Sequence, residues 1–187
     1  DRGVCLREGF GMTETCAVTL MCDARDVPAK IGCAGRPVRF CNVRIVREDG
    51  STADIGEKGE IWIQGMNITP GYWNRADANA SSFVDGWFRS GDVGTRDADG
   101  YYYIVDRKKD MIIRGGFNVY PREIEEVLYG HPAVAEAAVI GKPDPTYGAV
   151  VKAFVTLKSG YTGDDDLRRD LMGQARKRLG AAVAPLR

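Results

Sequence analysis

Asp106-Arg107-Lys108-Lys109-Asp110-Met111-Ile112-Ile113-Arg114-Gly115-Gly116-Phe117-Asn118-Val119-Tyr120-Pro121 is the stretch on which the reading of this chain turns. Its first five residues are all charged and cannot be buried together. They read as a solvated segment, either a plain connector or a point where the backbone is free to change its dihedrals. Met111-Ile112-Ile113 and Phe117-Asn118-Val119 follow as short strand-forming runs, and the paired glycines between them suit a tight hairpin turn. Pro121 sits where the first turn of a helix tolerates proline. Ile124, Val127 and Leu128 then share one helical face until Gly130 and Pro132 end it.

Working toward the C-terminus, Val134 to Ile140 and Val150 to Leu157 read as strands, the second placing Val151, Ala153, Val155 and Leu157 on one side. Leu167, Leu171, Ala175 and Leu179 recur every fourth residue and predict an amphipathic helix from Asp164 to about Leu179. Residues 111–187 are therefore expected to form a compact α+β domain. On the other side of the charged run, Val43-Arg44-Ile45-Val46, Glu60-Ile61-Trp62-Ile63-Gln64 and Tyr101-Tyr102-Tyr103-Ile104-Val105 alternate with Asp-Gly turns at 49–50, 85–86 and 99–100. That pattern predicts a small antiparallel sheet or barrel-like subdomain over 36–105, with 106–110 as a hinge. Residues 1–35 show no complete pattern and read as the end of a larger domain, with further chain expected upstream of Asp1. The fold class is α+β.

The chain's 187 residues are enough for a sizeable core. Basic and acidic residues balance at 26 each, which gives no overall attraction to nucleic acid or to anionic lipid. No apolar run approaches the roughly 20 residues of a membrane span, and no export signal opens the sequence. A cytoplasmic location without nucleic-acid partners is the expectation. Cys5, Cys16, Cys22, Cys33 and Cys41 are odd in number and form no C-x-x-C pair. They read as free thiols, mostly core hydrophobes.

Several polar blocks remain. In Gly9-Phe10-Gly11-Met12-Thr13-Glu14 a hydroxyl and a carboxylate follow a glycine-flanked aromatic. They suit either a phosphate carrying Mg²⁺ or a turn capped by Thr13. Asp92, after Trp87-Phe88-Arg89-Ser90-Gly91, offers a carboxylate for both hydroxyls of a ribose, or for its own backbone. Arg107 can add charge-assisted contacts to a sugar and phosphate. His131, at a helix end before Pro132, is better placed to offset the helix dipole than to catalyse. Gly71-Tyr72-Trp73 reads as packing.

The order and spacing of these blocks resemble the adenylate-forming enzymes, the superfamily of acyl-CoA synthetases, luciferases and peptide-synthetase adenylation domains. Within it the chain is most like the bacterial fatty-acid–CoA ligases, and the block Arg114 to Glu125 resembles free-CoA ligases more than peptide-synthetase adenylation domains. The resemblance covers nearly the whole chain. It implies an ATP/AMP site built from Gly9, Phe10 (stacked on adenine), Thr13 (at the α-phosphate), Asp92 and Arg107 (at the ribose), with Glu14 as the Mg²⁺ contact. It implies catalytic roles for Thr13, Glu14 and Lys109, the last as the pivot about which the C-terminal domain rotates between two half-reactions. Gly115, Gly116 and Tyr147 would face CoA. The implied substrates are a carboxylic acid (a medium- or long-chain fatty acid), ATP and CoA. An aryl-acid CoA ligase, an acyl-AMP ligase that loads a carrier protein, and a noncatalytic nucleotide- or CoA-binding module stay open beside it. The family's phosphate loop is expected upstream of Asp1 and its adenylation lysine beyond Arg187, so the chain alone is expected to be inactive.

Overall fold

A computed structural model describes residues 6–180; Cys5 and the segment 181–187, which follows Gly180 at the basic C-terminal end, lie outside the described residues. The chain divides into two compact units, Asp1–Lys108 and Lys109–Arg187.

The first unit opens with β1 (Glu8–Met12) and β2 (Ala17–Cys22), an antiparallel hairpin turning through a 3-10 segment at Thr13–Thr15, with β3 (Arg36–Pro37) paired to β2. The register slips between Phe10 and Gly11, and a Cβ on Gly11 would lie 1.6 Å from the Ala17 carbonyl oxygen. Only glycine permits so close an approach of two backbones. Next come β4 (Cys41–Val46), β5 (Gly59–Gly65), α1 (Ala76–Ser82), β6 (Phe83–Val84), β7 (Trp87–Arg96) and β8 (Tyr102–Arg107). The five strands form an antiparallel sheet in the order β4-β5-β7-β6, with β8 also paired to β7. The described strands make this open sheet and no closed barrel. All three Asp-Gly pairs fall between strands.

Leu20, Ala34, Ile45, Ile61, Ile63, Phe88 and Tyr102 are buried in one cluster, so residues on both sides of position 35 share a core. Each large aliphatic side chain buried there contributes roughly 1.5–3 kcal/mol relative to exposure. The sequence pattern does not announce α1. Its Ala-Asp-Ala-Asn-Ala-Ser-Ser has no apolar stripe and none of its residues is buried.

The second unit consists of β9 (Ile112–Arg114), β10 (Phe117–Val119), α2 (Pro121–Tyr129), β11 (Val134–Asp144), β12 (Gly148–Leu157) and α3 (Asp165–Leu179). Ile124 and Leu128 of α2, Val139 of β11, Val151 of β12 and Leu171 of α3 meet Ile112 and Val119 in a single apolar core. The Asp164 side chain caps α3 by accepting the Leu167 N–H at 2.8 Å. Two polar contacts clasp the helices together: the Gln174 side-chain amide Nε2 donates to the Val127 carbonyl at 3.0 Å, and His131 Nε2 meets Asp170 Oδ2 at 3.2 Å. His131 Nδ1 accepts the Ala133 N–H at 3.2 Å, which assigns the ring proton to Nε2. Both ring nitrogens thus hold structure at the end of α2. Among the described residues, no helix is long and apolar enough to cross a membrane.

Candidate functional site

Asp92 and Arg107 face each other across β7 and β8 as register partners. Asp92 is 7% exposed. The Ser90 hydroxyl fixes the strand beneath it, donating to the Ile61 carbonyl at 2.7 Å and accepting the Asp92 N–H at 3.0 Å. The carboxylate itself meets Arg107 Nε at 3.5 Å, and this is the contact the structure records for it among the described residues. Burial pushes the Asp92 carboxyl up, the nearby guanidinium pulls it down, and it ends above the ordinary carboxylate range. A sequestered carboxylate with spare acceptor capacity beside a largely exposed cation is suited to a ligand carrying hydroxyls and negative charge. The alternative of an aspartate satisfied by its own backbone does not describe it, because Ser90 serves the backbone.

Glu14 lies in the Thr13–Thr15 segment. Its Oε1 accepts the Tyr72 hydroxyl at 2.7 Å, and its carbonyl accepts the Thr69 N–H at 2.8 Å. Burial, and then the bond to Glu14, push the Tyr72 phenol up to about 12. Tyr72 is held in turn by Asn79 of α1, whose amide bonds both its N–H (2.7 Å) and its carbonyl (2.9 Å). The packing role expected of Gly71-Tyr72-Trp73 holds for the Tyr72 ring, which stands edge-on to Phe83 with centroids 6.0 Å apart while its hydroxyl orients a carboxylate, but not for Trp73, which is 89% exposed. Thr13 is exposed and makes no cap. The buried Thr15 does that work, bonding Met12 N, Met12 O and Ala17 O at 2.9–3.0 Å. Thr13 keeps its hydroxyl at the surface beside Glu14. Gly9 is exposed in β1, and Phe10 is half-buried with part of its ring against the core.

Among the described residues no three His, Cys, Asp or Glu side chains are grouped to hold a metal. The Glu14 carboxylate, with an oxygen left beside its Tyr72 bond, fits as a single protein contact to a hard cation such as Mg²⁺. Cys22, Cys33 and Cys41 are buried free thiols, and Cys16 is exposed.

In the second unit the hairpin between β9 and β10 turns on Gly115 (φ 54°) and Gly116 (φ 84°). Both angles lie in the left-handed region, and added Cβ atoms would meet little there, so backbone conformation, not space, selects glycine. Gly115 N–H donates to the Tyr147 carbonyl at 2.9 Å. Asp144 Oδ1 accepts the Thr146 and Tyr147 N–H groups at 2.9 and 3.0 Å, and Arg114 stacks 5.7 Å from the Tyr147 ring. Two turns distant in sequence thus form one exposed ridge. Lys109 is exposed within the short 3-10 segment Lys108–Asp110.

These elements define a member of the adenylate-forming class. Residues 1–73 match the AMP-binding enzyme family and residues 123–187 match the AMP-binding enzyme C-terminal domain. The chain belongs to this family. It is 48% identical over 185 residues to a feruloyl-CoA synthase of an Amycolatopsis species, covering 99% of this chain and 37% of that protein. A medium/long-chain fatty-acid–CoA ligase of Mycobacterium tuberculosis is 39% identical over 183 residues, covering 95% of this chain and 32% of its own. The o-succinylbenzoate-CoA synthetase of Bacillus subtilis, solved with its acyl-adenylate intermediate, matches with TM-score 0.87 and 37% identity over 99% of this chain and 37% of its own. Solved with ATP and magnesium ion, the same enzyme gives TM-score 0.83 and 38% identity, over 96% and 36%. The chain spans about a third of the length of these relatives.

Proposed function

We propose that the protein is an ATP-dependent acid–CoA ligase and that this chain supplies its ribose grip, its pivot and part of its CoA surface. The observation that carries the reading is the sequestered Asp92 carboxylate beside Arg107. In this proposal Asp92 accepts hydrogen bonds from the two ribose hydroxyls of ATP, and Arg107 adds positive charge toward the sugar and phosphates. Glu14, oriented by Tyr72, is the Mg²⁺ contact, with Thr13 at the α-phosphate and Phe10 and Gly9 along the adenine. Mg²⁺, when bound there, would supply neutralisation of phosphate charge.

In the first half-reaction the acid's carboxylate attacks the α-phosphate of ATP to give acyl-AMP and pyrophosphate; in the second, after rotation about Lys109 has exchanged one set of catalytic groups for another, the CoA thiol attacks the acyl carbon, forming the thioester and releasing AMP and the thiol proton. The ridge of Gly115, Gly116 and Tyr147 then lies along CoA. On the acid, a medium- or long-chain fatty acid is one reading. The greater identity to the feruloyl-CoA synthase than to the fatty-acid ligase favours an aryl acid, and we place that first. The 187-residue stretch alone is proposed to be inactive, and the whole protein cytoplasmic.

The test is acid-dependent ATP–pyrophosphate exchange by the full-length protein across hydroxycinnamates, benzoates and fatty acids, followed by acyl-CoA formation. Exchange with at least one of these acids and thioester formation with free CoA are expected. Absence of exchange with every acid overturns the reading, and transfer only to a carrier-protein thiol replaces CoA as the acceptor.

A further inference from the structure

The face of the five-stranded sheet opposite Asp92 carries a second charged group that no part of the proposed chemistry uses. The register pairs Glu60 with Val93 and Val93 with Asp106, while Asp92 pairs with Arg107. Because successive strand residues alternate sides, Glu60 and Asp106 share the face that Asp92 does not occupy. Glu60 Oε2 accepts Arg89 Nη2 at 3.0 Å, Arg89 Nε at 3.3 Å and Lys108 Nζ at 3.0 Å. The Glu60 side chain is 8% exposed, so it cannot turn to water when a partner leaves. Burial pushes its carboxyl up, but the bonds from Arg89 and Lys108 outweigh this and hold it below the ordinary range. The pair therefore differs from one exposed at both ends, because its carboxylate is sequestered and keeps its partners.

Lys108 is the last residue of the first unit and directly precedes Lys109. Behind it, the Arg107 N–H is held by Asp106 Oδ1 at 2.7 Å. We propose that Lys108 and Glu60 are positioning residues, whose ion pair anchors the chain just before the pivot and confines rotation to Lys109 and Asp110. The proposal rests on the reading of Lys109 as the pivot. A linker fixed at its root offers fewer orientations to search, so each productive arrangement of the rotating unit is populated more often. Releasing Lys108 adds one free residue to the linker.

The test uses the full-length protein with Glu60→Gln, Lys108→Met and Lys108→Arg. Two quantities are read: the single-turnover transfer of acyl from acyl-AMP to CoA, and native-state trypsin cleavage after Arg107 and Lys109, bonds present in every variant. Glu60→Gln and Lys108→Met are expected to slow transfer about 3- to 10-fold and to speed cleavage by a similar factor. KM for ATP should stay unchanged, and Lys108→Arg should restore both rates. Should Glu60→Gln fail to fold, Lys108→Met decides, since its side chain is 39% exposed. Unchanged cleavage in a folded Lys108→Met overturns the anchor. If the wild-type protein shows no acid-dependent exchange, the ligase reading fails, while the cleavage rates still settle whether Lys108 is pinned.

Discussion

Thr15, Thr19, Glu60, Asp92 and Asp106, the buried polar and charged side chains among the described residues, all belong to the first unit. The core of the second is Ile112, Val119, Ile124, Leu128, Val134, Val139, Val151 and Leu171. Burying charge is unfavourable unless each group is paired, so the first unit gives up stability in order to hold carboxylates in fixed places. The second keeps an apolar core and puts its candidate chemistry on exposed turns at Gly115, Gly116 and Tyr147. Substitutions at functional positions should accordingly affect stability in opposite senses in the two units.

The largest expected effect is at Glu14. Replacing it with Gln in the full-length protein should reduce acid-dependent pyrophosphate exchange on the order of 10²-fold, the scale of a lost electrostatic contact to a transition state. The apparent Mg²⁺ requirement should rise with it. Unchanged exchange would remove Glu14 from the nucleotide site. Next, Gly116→Ala places a Cβ at φ 84°. It should destabilise the second unit by about 1–2 kcal/mol, read by hydrogen exchange of β9 and β10. An undiminished protection would show that the turn tolerates side chains, and would weaken the contrast between the units.

A smaller change is expected from Tyr72→Phe, which removes the bond to Glu14 and keeps the ring. Exchange should fall about fivefold, the equivalent of a hydrogen bond worth roughly 1 kcal/mol. A loss as large as that of Glu14→Gln would instead make Tyr72 a direct participant.

The mildest probe is pH. Trp62, Trp73 and Trp87, the only tryptophans in the sequence, all lie in the first unit, so their fluorescence reports it alone. The phenols of Tyr72 and Tyr102 are raised, first by burial. A raised phenol contributes stability fully below its unfolded value near pH 10, and that contribution is lost as pH climbs through the folded one. Glu60, held below the ordinary range, contributes above its unfolded value near pH 4 and loses that contribution as pH falls further. Fluorescence-monitored stability should therefore decline on both limbs. A flat profile from pH 3 to 12 would contradict the assigned pairings.

Most of the fold was legible because its signals are local. Asp-Gly pairs mark turns, and the four-residue spacing from Leu167 to Leu179 marks α3. What escaped depends on distance. Lys108 and Glu60 are 48 residues apart and meet only through the register of three strands. Tyr72 stands in a loop, and only its contact with Glu14, 58 residues earlier, distinguishes it from a packing aromatic. The Thr13–Thr15 turn misled for a different reason: either hydroxyl could cap it, and burial chose Thr15. Asp92 and Arg107 were readable as candidates from their order alone, but their pairing across β7 and β8 required the sheet.

The central claim is most directly tested by Asp92→Asn in the full-length protein, with kcat/KM for ATP and thermal stability measured on the same sample. A carboxyl raised above its unfolded value costs stability once ionised, so the neutral amide should leave Tm unchanged or higher. Loss of charge-assisted ribose bonds worth about 1.5–3 kcal/mol should meanwhile lower kcat/KM for ATP roughly ten- to hundred-fold. Undiminished ATP kinetics in the folded variant would contradict the account.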